Sequence, residues 1–187
     1  MQVPNIKHIL PYPKLGYRFL FKIQDKKKEY VARKLVGFSN NEMYQVVSDV
    51  KRYKQFLPFC TKSTILMSKP NQLHANLEIG FPPIVENYTS KVFLDEPNSV
   101  KAICTDGRLF NYLETTWKFS SGLQSNPRTC IIDFYIQFEF KSAIYSHVAS
   151  MFFERLVQQM EKAFIDEVRK RYGNDSIPIH ELSPVRN

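Results

Sequence analysis

Eleven residues, CIIDFYIQFEF from 130 to 140, alternate without a break: Cys130, Ile132, Phe134, Ile136, Phe138 and Phe140 fall on one side, Ile131, Asp133, Tyr135, Gln137 and Glu139 on the other. Successive side chains of a strand point to opposite faces, so this pattern predicts a strand in a sheet with one dry face. A dry face has to be covered. The next stretch supplies the cover: after Lys141 the apolar period becomes helical, with Tyr145, Val148, Ala149, Phe152, Phe153, Leu156, Val157, Met160, Phe164 and Val168 forming a wide stripe. One amphipathic helix is predicted over about 143 to 172, closed by Gly173 after the basic last turn of Arg169, Lys170 and Arg171.

Upstream, KKKEYVARKLVGF (26–38) alternates as a strand, and Ser39 with Glu42 three residues later forms a capping box for a helix near 40–50. SDVKRYKQFLPFC (48–60) adds a second short helix that stops at Pro58, whose ring removes a donor and clashes with the preceding turn. From residue 61 the period is two: QLHANLEIG places Leu73, Ala75, Leu77 and Ile79 on one face, and 84–95, 99–106 and 112–122 read as further strands between turn formers. The order is strand, two short helices, about six strands, long helix. The fold class is therefore α+β, a curved antiparallel sheet of six to seven strands wrapped around the C-terminal helix, with a space between them suited to small apolar ligands.

The chain of 187 residues fits one domain, placed at 25–173, with 174–187 as a loose tail. Its charge of +8 is uneven: residues 1–34 carry nine basic and two acidic residues, whereas 35–187 carry 17 and 16. Residues 1–24 contain no acidic residue and resemble a mitochondrial targeting sequence in composition; a disordered basic tail is the other reading. No apolar run is long enough to span a bilayer. Cys60, Cys104 and Cys130 are odd in number and scattered, which argues against a disulfide framework or a zinc site.

The blocks VGFSNNEMYQVVSDVKRYKQFLPFC (36–60), ANLEIGFPPIVENYTSKV (75–92), GRLFNYLETTWKF (107–119) and IDFYIQFEFKSAIYSHVASMFFERLVQQMEKAF (132–164) resemble the mitochondrial coenzyme Q-binding proteins of the START (helix-grip) superfamily. Members typically read Pro-Trp-Cys where this chain has Pro58-Phe59-Cys60. The resemblance implies a non-enzymatic protein without a cofactor that holds ubiquinone or a related polyprenyl quinone between sheet and helix. It implies a carrier or chaperone that supports respiratory electron transport and ubiquinone biosynthesis. Its place would be peripheral, on the matrix side of the mitochondrial inner membrane, near quinone biosynthesis or respiratory chain proteins.

On that reading the cavity walls are Leu77, Ile79, Phe134, Ile136, Phe138, Phe152, Phe153, Leu156, Val157 and Met160. In helix-grip folds the short helices sit beside the cavity mouth, so Tyr53, Phe56, Leu57, Pro58 and Phe59 line or cap the entrance while Lys51, Arg52 and Lys54 meet anionic headgroups; the alternative is that these aromatics are core contacts. A quinone head offers acceptors only, so donors among Tyr88, Ser90, Tyr112 and Trp117 are candidates for it. Glu86, Glu114 and Asp133 read as solvated outer faces, His74 lies on a polar side, and His147 lacks partners for a catalytic or metal site. Two other function classes stand beside the quinone reading. A cyclase or aromatase needs a titratable group in the cavity, and a ribosome-directed protein needs a basic face that the near-neutral body does not supply, so no nucleic acid partner is expected. Ligand sites of about 300–1,000 Å³ enclose the ring and a few isoprene units, leaving the tail outside.

Overall fold

The computed structural model describes residues 27–81, 84–108, 110–142 and 153–183, except the side chains of Phe81 and Ile84. The basic segment 1–24, the predicted helical stretch 143–152, and with it Phe152 and His147, lie outside these residues.

Strand β1 (Lys27–Val36) leads into helix α1 (Asn40–Ser48), a 3₁₀ turn (Val50–Arg52) and the short helix α2 (Tyr53–Phe56). Strands β2 (Cys60–Lys69), β3 (Gln72–Phe81), β4 (Ile84–Asp95), β5 (Ser99–Gly107), β6 (Phe110–Ser121) and β7 (Cys130–Phe140) follow, then helix α3 (Phe153–Tyr172) and strand β8 (His180–Leu182). The capping box is present: Glu42 N donates to Ser39 Oγ at 3.3 Å and Ser39 N to Glu42 Oε2 at 2.8 Å. All eight strands form one antiparallel sheet in the order β2-β3-β4-β5-β6-β7-β1-β8. Because β1 lies beside β7 while β2 is the opposite edge, the α1–α2 connection crosses the concave side, and α1 packs on α3, β5 and β6.

The sheet has eight strands rather than six or seven. The added strand comes from the segment read as a loose tail: His180–Leu182 pairs with Arg33–Leu35 of β1. Three residues carry no period of their own, and this strand is held from outside itself. Lys34 Nζ bridges Glu181 at 3.1 Å, and Arg128 donates to the carbonyls of Tyr172 (2.9 Å) and Asn174 (2.6 Å).

β7 keeps the predicted alternation over its whole length, every second side chain buried. Its inner row and α3 meet in an aromatic cluster. Phe164 touches Tyr53, Phe56 and Trp117 with ring centroids 5.3, 5.4 and 4.9 Å away, and Trp117 touches Phe134 at 4.4 Å. Such ring pairs add about 0.5–1.5 kcal/mol each beyond burial.

The return of the chain after α3 requires Gly37. A Cβ there would stand 2.5 Å from Ile177 N and 2.6 Å from Ser176 N, while Ser176 N donates to Gly37 O at 2.8 Å. Gly37→Ala is therefore expected to displace the segment carrying β8 and lower the unfolding free energy by ~1–3 kcal/mol. Denaturant titration together with faster proteolysis beyond residue 173 checks this; unchanged proteolysis would show that the segment does not depend on this approach.

Candidate ligand-binding site

The concave face and α3 enclose an apolar cavity of two connected chambers. The inner one, about 90 Å³, is bounded by Ala75, Ser90, Ala102, Trp117, Phe134 and Phe164, among others. The outer one, about 150 Å³, is bounded by Pro58, Phe59, Cys60, Ile79, Phe138, Phe153 and Leu156 among others. Leu57, Leu77, Tyr88, Leu113, Thr115, Ile136, Val157 and Met160 face both. The walls run in step from outside to inside: Phe138, Ile136, Phe134 on β7; Ile79, Leu77, Ala75 on β3; Phe153, Met160, Phe164 along α3. The space exists because the inward positions of the central strands are small: Ala75 pairs with Ser90, and Ala102 pairs with Val92.

Polar groups are few and unevenly placed. The Tyr53 hydroxyl donates to the Val47 carbonyl. Tyr88, Ser90, Thr115 and Trp117 also line the cavity, and none of their side chains donates to a protein acceptor among the described residues. Among the described lining residues the ionisable side chains are Tyr53, Tyr88 and Cys60. Burial pushes both tyrosine hydroxyls well above the usual phenol range. It pushes the Cys60 thiol up to about 11, and the thiol donates to Lys62 O at 3.5 Å. Glu161 is buried on α3 outside the lining; burial raises its carboxyl above the usual range against the opposing pull of Lys34 (3.3 Å) and Tyr30 (3.0 Å). Among the described residues no group of three His, Cys, Asp or Glu side chains is placed to hold a metal, and no helix is long and apolar enough to cross a membrane.

The family described as "Polyketide cyclase / dehydrase and lipid transport" matches residues 36–165. The chain belongs to this family. Within it, the chain is 45% identical over 86% of its length to "Coenzyme Q-binding protein COQ10 homolog B, mitochondrial" of Xenopus laevis, covering 66% of that protein. It is 46% identical over 87% of its length to "Coenzyme Q-binding protein COQ10, mitochondrial" of Drosophila melanogaster, covering 67% of that protein. The chain thus spans about two thirds of the length of these family members. "Ribosome association toxin RatA" of Escherichia coli K12 is 34% identical over 74% of the chain and 85% of its own length. Among solved structures, the Zhui aromatase/cyclase of Streptomyces sp. R1128 superposes with a TM-score of 0.66 at 14% identity, over 78% of this chain and 95% of that one. That likeness concerns the fold alone: the helix-grip architecture of the family.

The structure places Leu77, Ile79, Phe134, Ile136, Phe138, Phe153, Leu156, Val157 and Met160 on the cavity wall, as well as Leu57, Pro58 and Phe59. Tyr53 and Phe56 do not form an exposed rim: one helical turn sets both against Phe164, Tyr53 facing the inner chamber and Phe56 lying behind it. Lys51, Arg52 and Lys54 are exposed, although Arg52 Nη2 lies 3.9 Å from buried Glu167. Of the proposed donors, Tyr88, Ser90 and Trp117 face inward, and Tyr112 points out, its hydroxyl donating to Glu114 at 2.6 Å. Ordinary alternation does this, since Tyr112 and Trp117 are five residues apart, whereas the register shift between Phe110 and Tyr112 lets Phe110 face inward as well. Glu114 and Asp133 are outer-face residues paired with Lys101 (2.7 Å) and Arg33 (3.6 Å). Glu86 differs from expectation: it shares the face of Tyr88, half-buried at the rim and outside the lining. Alternation in the sequence also marked Ala75, whereas Thr115 and Ala102 were passed over; their signal was inward parity combined with small size.

A thiol lifted to about 11 has a thiolate fraction about 100-fold lower at neutral pH than an ordinary one. Cys60 is therefore expected to alkylate roughly 100-fold more slowly than a free cysteine at pH 8, its rate climbing toward pH 11. Mass-spectrometric readout of iodoacetamide labelling against pH checks this; a plateau by pH 8 would contradict it.

Proposed function

We propose that this protein binds a polyprenyl quinone of the ubiquinone class in the sheet–helix cavity and carries or presents it, without chemistry of its own. The carrying observation is the cavity itself, whose apolar wall is interrupted by the side-chain donors of Tyr88, Ser90, Thr115 and Trp117, none of which donates to a protein acceptor among the described residues. A quinone head has carbonyl acceptors and a hydrocarbon tail, which is the complement of that wall. The names of the relatives support the class of ligand and a mitochondrial location, and the basic composition of residues 1–24 agrees with import. Support for respiratory electron transport and for quinone biosynthesis from the matrix face of the inner membrane, as a peripheral protein, completes the proposal. A cyclase-like reaction is disfavoured, because the described lining offers no group that exchanges protons near neutral pH.

The purified full chain, extracted with organic solvent, is expected to yield near-stoichiometric quinone by mass spectrometry. Replacing the partly buried outer-chamber pair Phe153 and Leu156 with serine is expected to lower the yield at least tenfold with an unchanged circular dichroism spectrum. Absence of quinone after incubation with quinone-loaded vesicles would overturn the reading.

Membrane contact would use Lys51, Lys54 and the exposed ring of Phe59, which is 38% accessible at the outer chamber. Basic residues near an anionic surface contribute about 1 kcal/mol each. Lys51→Glu with Lys54→Glu, leaving Arg52 on Glu167, is expected to lower partition onto vesicles containing phosphatidylserine by tenfold or more in a sedimentation assay. Equal partition of the variant and the parent would remove the membrane contact while leaving quinone binding untouched.

A further inference from the structure

Resting on the quinone reading above, we infer that the ligand enters ring first: the inner chamber is a polar-head subsite and the outer chamber is the tail's exit. The distribution of donors carries this. Ser90 on β4 and Trp117 on β6 face the inner chamber alone, Tyr88 and Thr115 stand where the two chambers meet, and the described residues that face only the outer one are hydrocarbon or aromatic apart from the thiol of Cys60. Tyr88, Ser90 and Trp117 are 9%, 4% and 6% exposed, and none of their side chains donates to a protein acceptor among the described residues, so their donors open onto the cavity. A donor that opens onto an apolar cavity without a protein acceptor is one that a ligand carbonyl can satisfy, and all three reach the inner chamber.

The register shows how a ring with acceptors at opposite ends would be met. β4 and β6 flank β5, so their side chains start about 9–10 Å apart. The β5 residue between them, Ala102, pairs with Val92 on one side and Thr115 on the other and leaves the gap open. One carbonyl is then within reach of Tyr88 or Ser90 and the other of Thr115 or Trp117. Depth agrees, since the chambers of about 90 and 150 Å³ fall together below the ~300 Å³ of a typical ligand site, so a long tail has to leave, and among the described lining residues the exposed Phe59 belongs to the outer chamber.

Trp117 is the sole tryptophan of the chain, which gives the geometry its own reporter. The experiment loads the full-length protein with a ubiquinone bearing two isoprene units, measures bound quinone by extraction, and follows tryptophan emission in the same samples. Ring-first binding predicts stoichiometric quinone with nearly complete loss of emission, because an oxidised quinone ring quenches indole at contact. It also predicts that the Tyr88→Phe, Ser90→Ala double variant binds this quinone about tenfold more weakly, the product of two neutral hydrogen bonds, while its affinity for squalene, an isoprenoid lacking the head, stays within twofold. Stoichiometric quinone with unchanged emission would overturn the orientation and leave quinone binding standing. Equal weakening toward quinone and squalene would also overturn it, by reducing the two hydroxyls to a structural role. No quinone in the extract would overturn the binding reading itself, and this inference with it.

Discussion

One helix cannot fill the concave face of this sheet, and the rest of the structure depends on that mismatch. Eight strands about 4.8 Å apart span roughly 34 Å, whereas a helix with its side chains is about 10–12 Å across. Part of the deficit is made up by α1 and α2, which cross the open side and both pack on α3, α2 through Tyr53 and Phe56 against Phe164. Large rings at Phe110, Phe138 and Phe140 close another part, packed 5.8 and 5.2 Å from one another through Phe110. What remains sits over Ala75, Ser90 and Ala102, where the strands provide too little side chain to reach the helix. The cavity is therefore a consequence of where small residues were placed on an otherwise bulky face.

This explains how much of the molecule was legible in the sequence. Strands and helices with a strong period announced themselves, β7 most clearly, and the capping box at Ser39 was readable because it is a local chemical requirement. β8 was not readable: its three residues have no period, and its position depends on Gly37, Arg128 and Lys34, all remote in sequence. The large wall residues followed from alternation on β3 and β7, but the emptiness between them did not, since an alanine at an inward position looks the same whether its neighbour fills the gap or leaves it. Parity on β6 was ambiguous for a definite reason, the register shift near residue 111, which lets Phe110 and Trp117 both face inward although they are seven residues apart. For Tyr53 and Phe56, sequence spacing showed that they share a helical face but not that Phe164 waits opposite.

The same wall sets the chemistry that is open to a bound molecule. Proton transfer needs a group whose charge can change near the working pH, and burial drives the Tyr53, Tyr88 and Cys60 groups in the opposite direction, toward their neutral forms. The nearby buried carboxylate, Glu161, is turned toward β1 and engaged by Tyr30 and Lys34, and Lys34 in turn bridges to Glu181 on β8. The charged network thus ties the C-terminal strand to α3 and stays off the ligand side. A fold shared with an aromatase/cyclase at 14% identity therefore says little about reactivity here, because the deciding groups are those on the lining.

Phe59 joins the interior to the surface. Its backbone sits at φ 66°, the left-handed region that glycine tolerates and an aromatic residue occupies at a cost of about 1–2 kcal/mol, while its carbonyl accepts from Gly80 N at 2.9 Å. Strain of this kind persists where the surroundings fix it and tends to gather at ligand sites. Its effect here is to hold a partly exposed ring at the end of the outer chamber. Each isoprene unit left in water costs about 4 kcal/mol at ~0.8 kcal/mol per carbon. For the ligand proposed above, a polyprenyl tail that outgrew the cavity would lie in some other apolar phase, and Phe59 stands at the end of the chamber where it would leave.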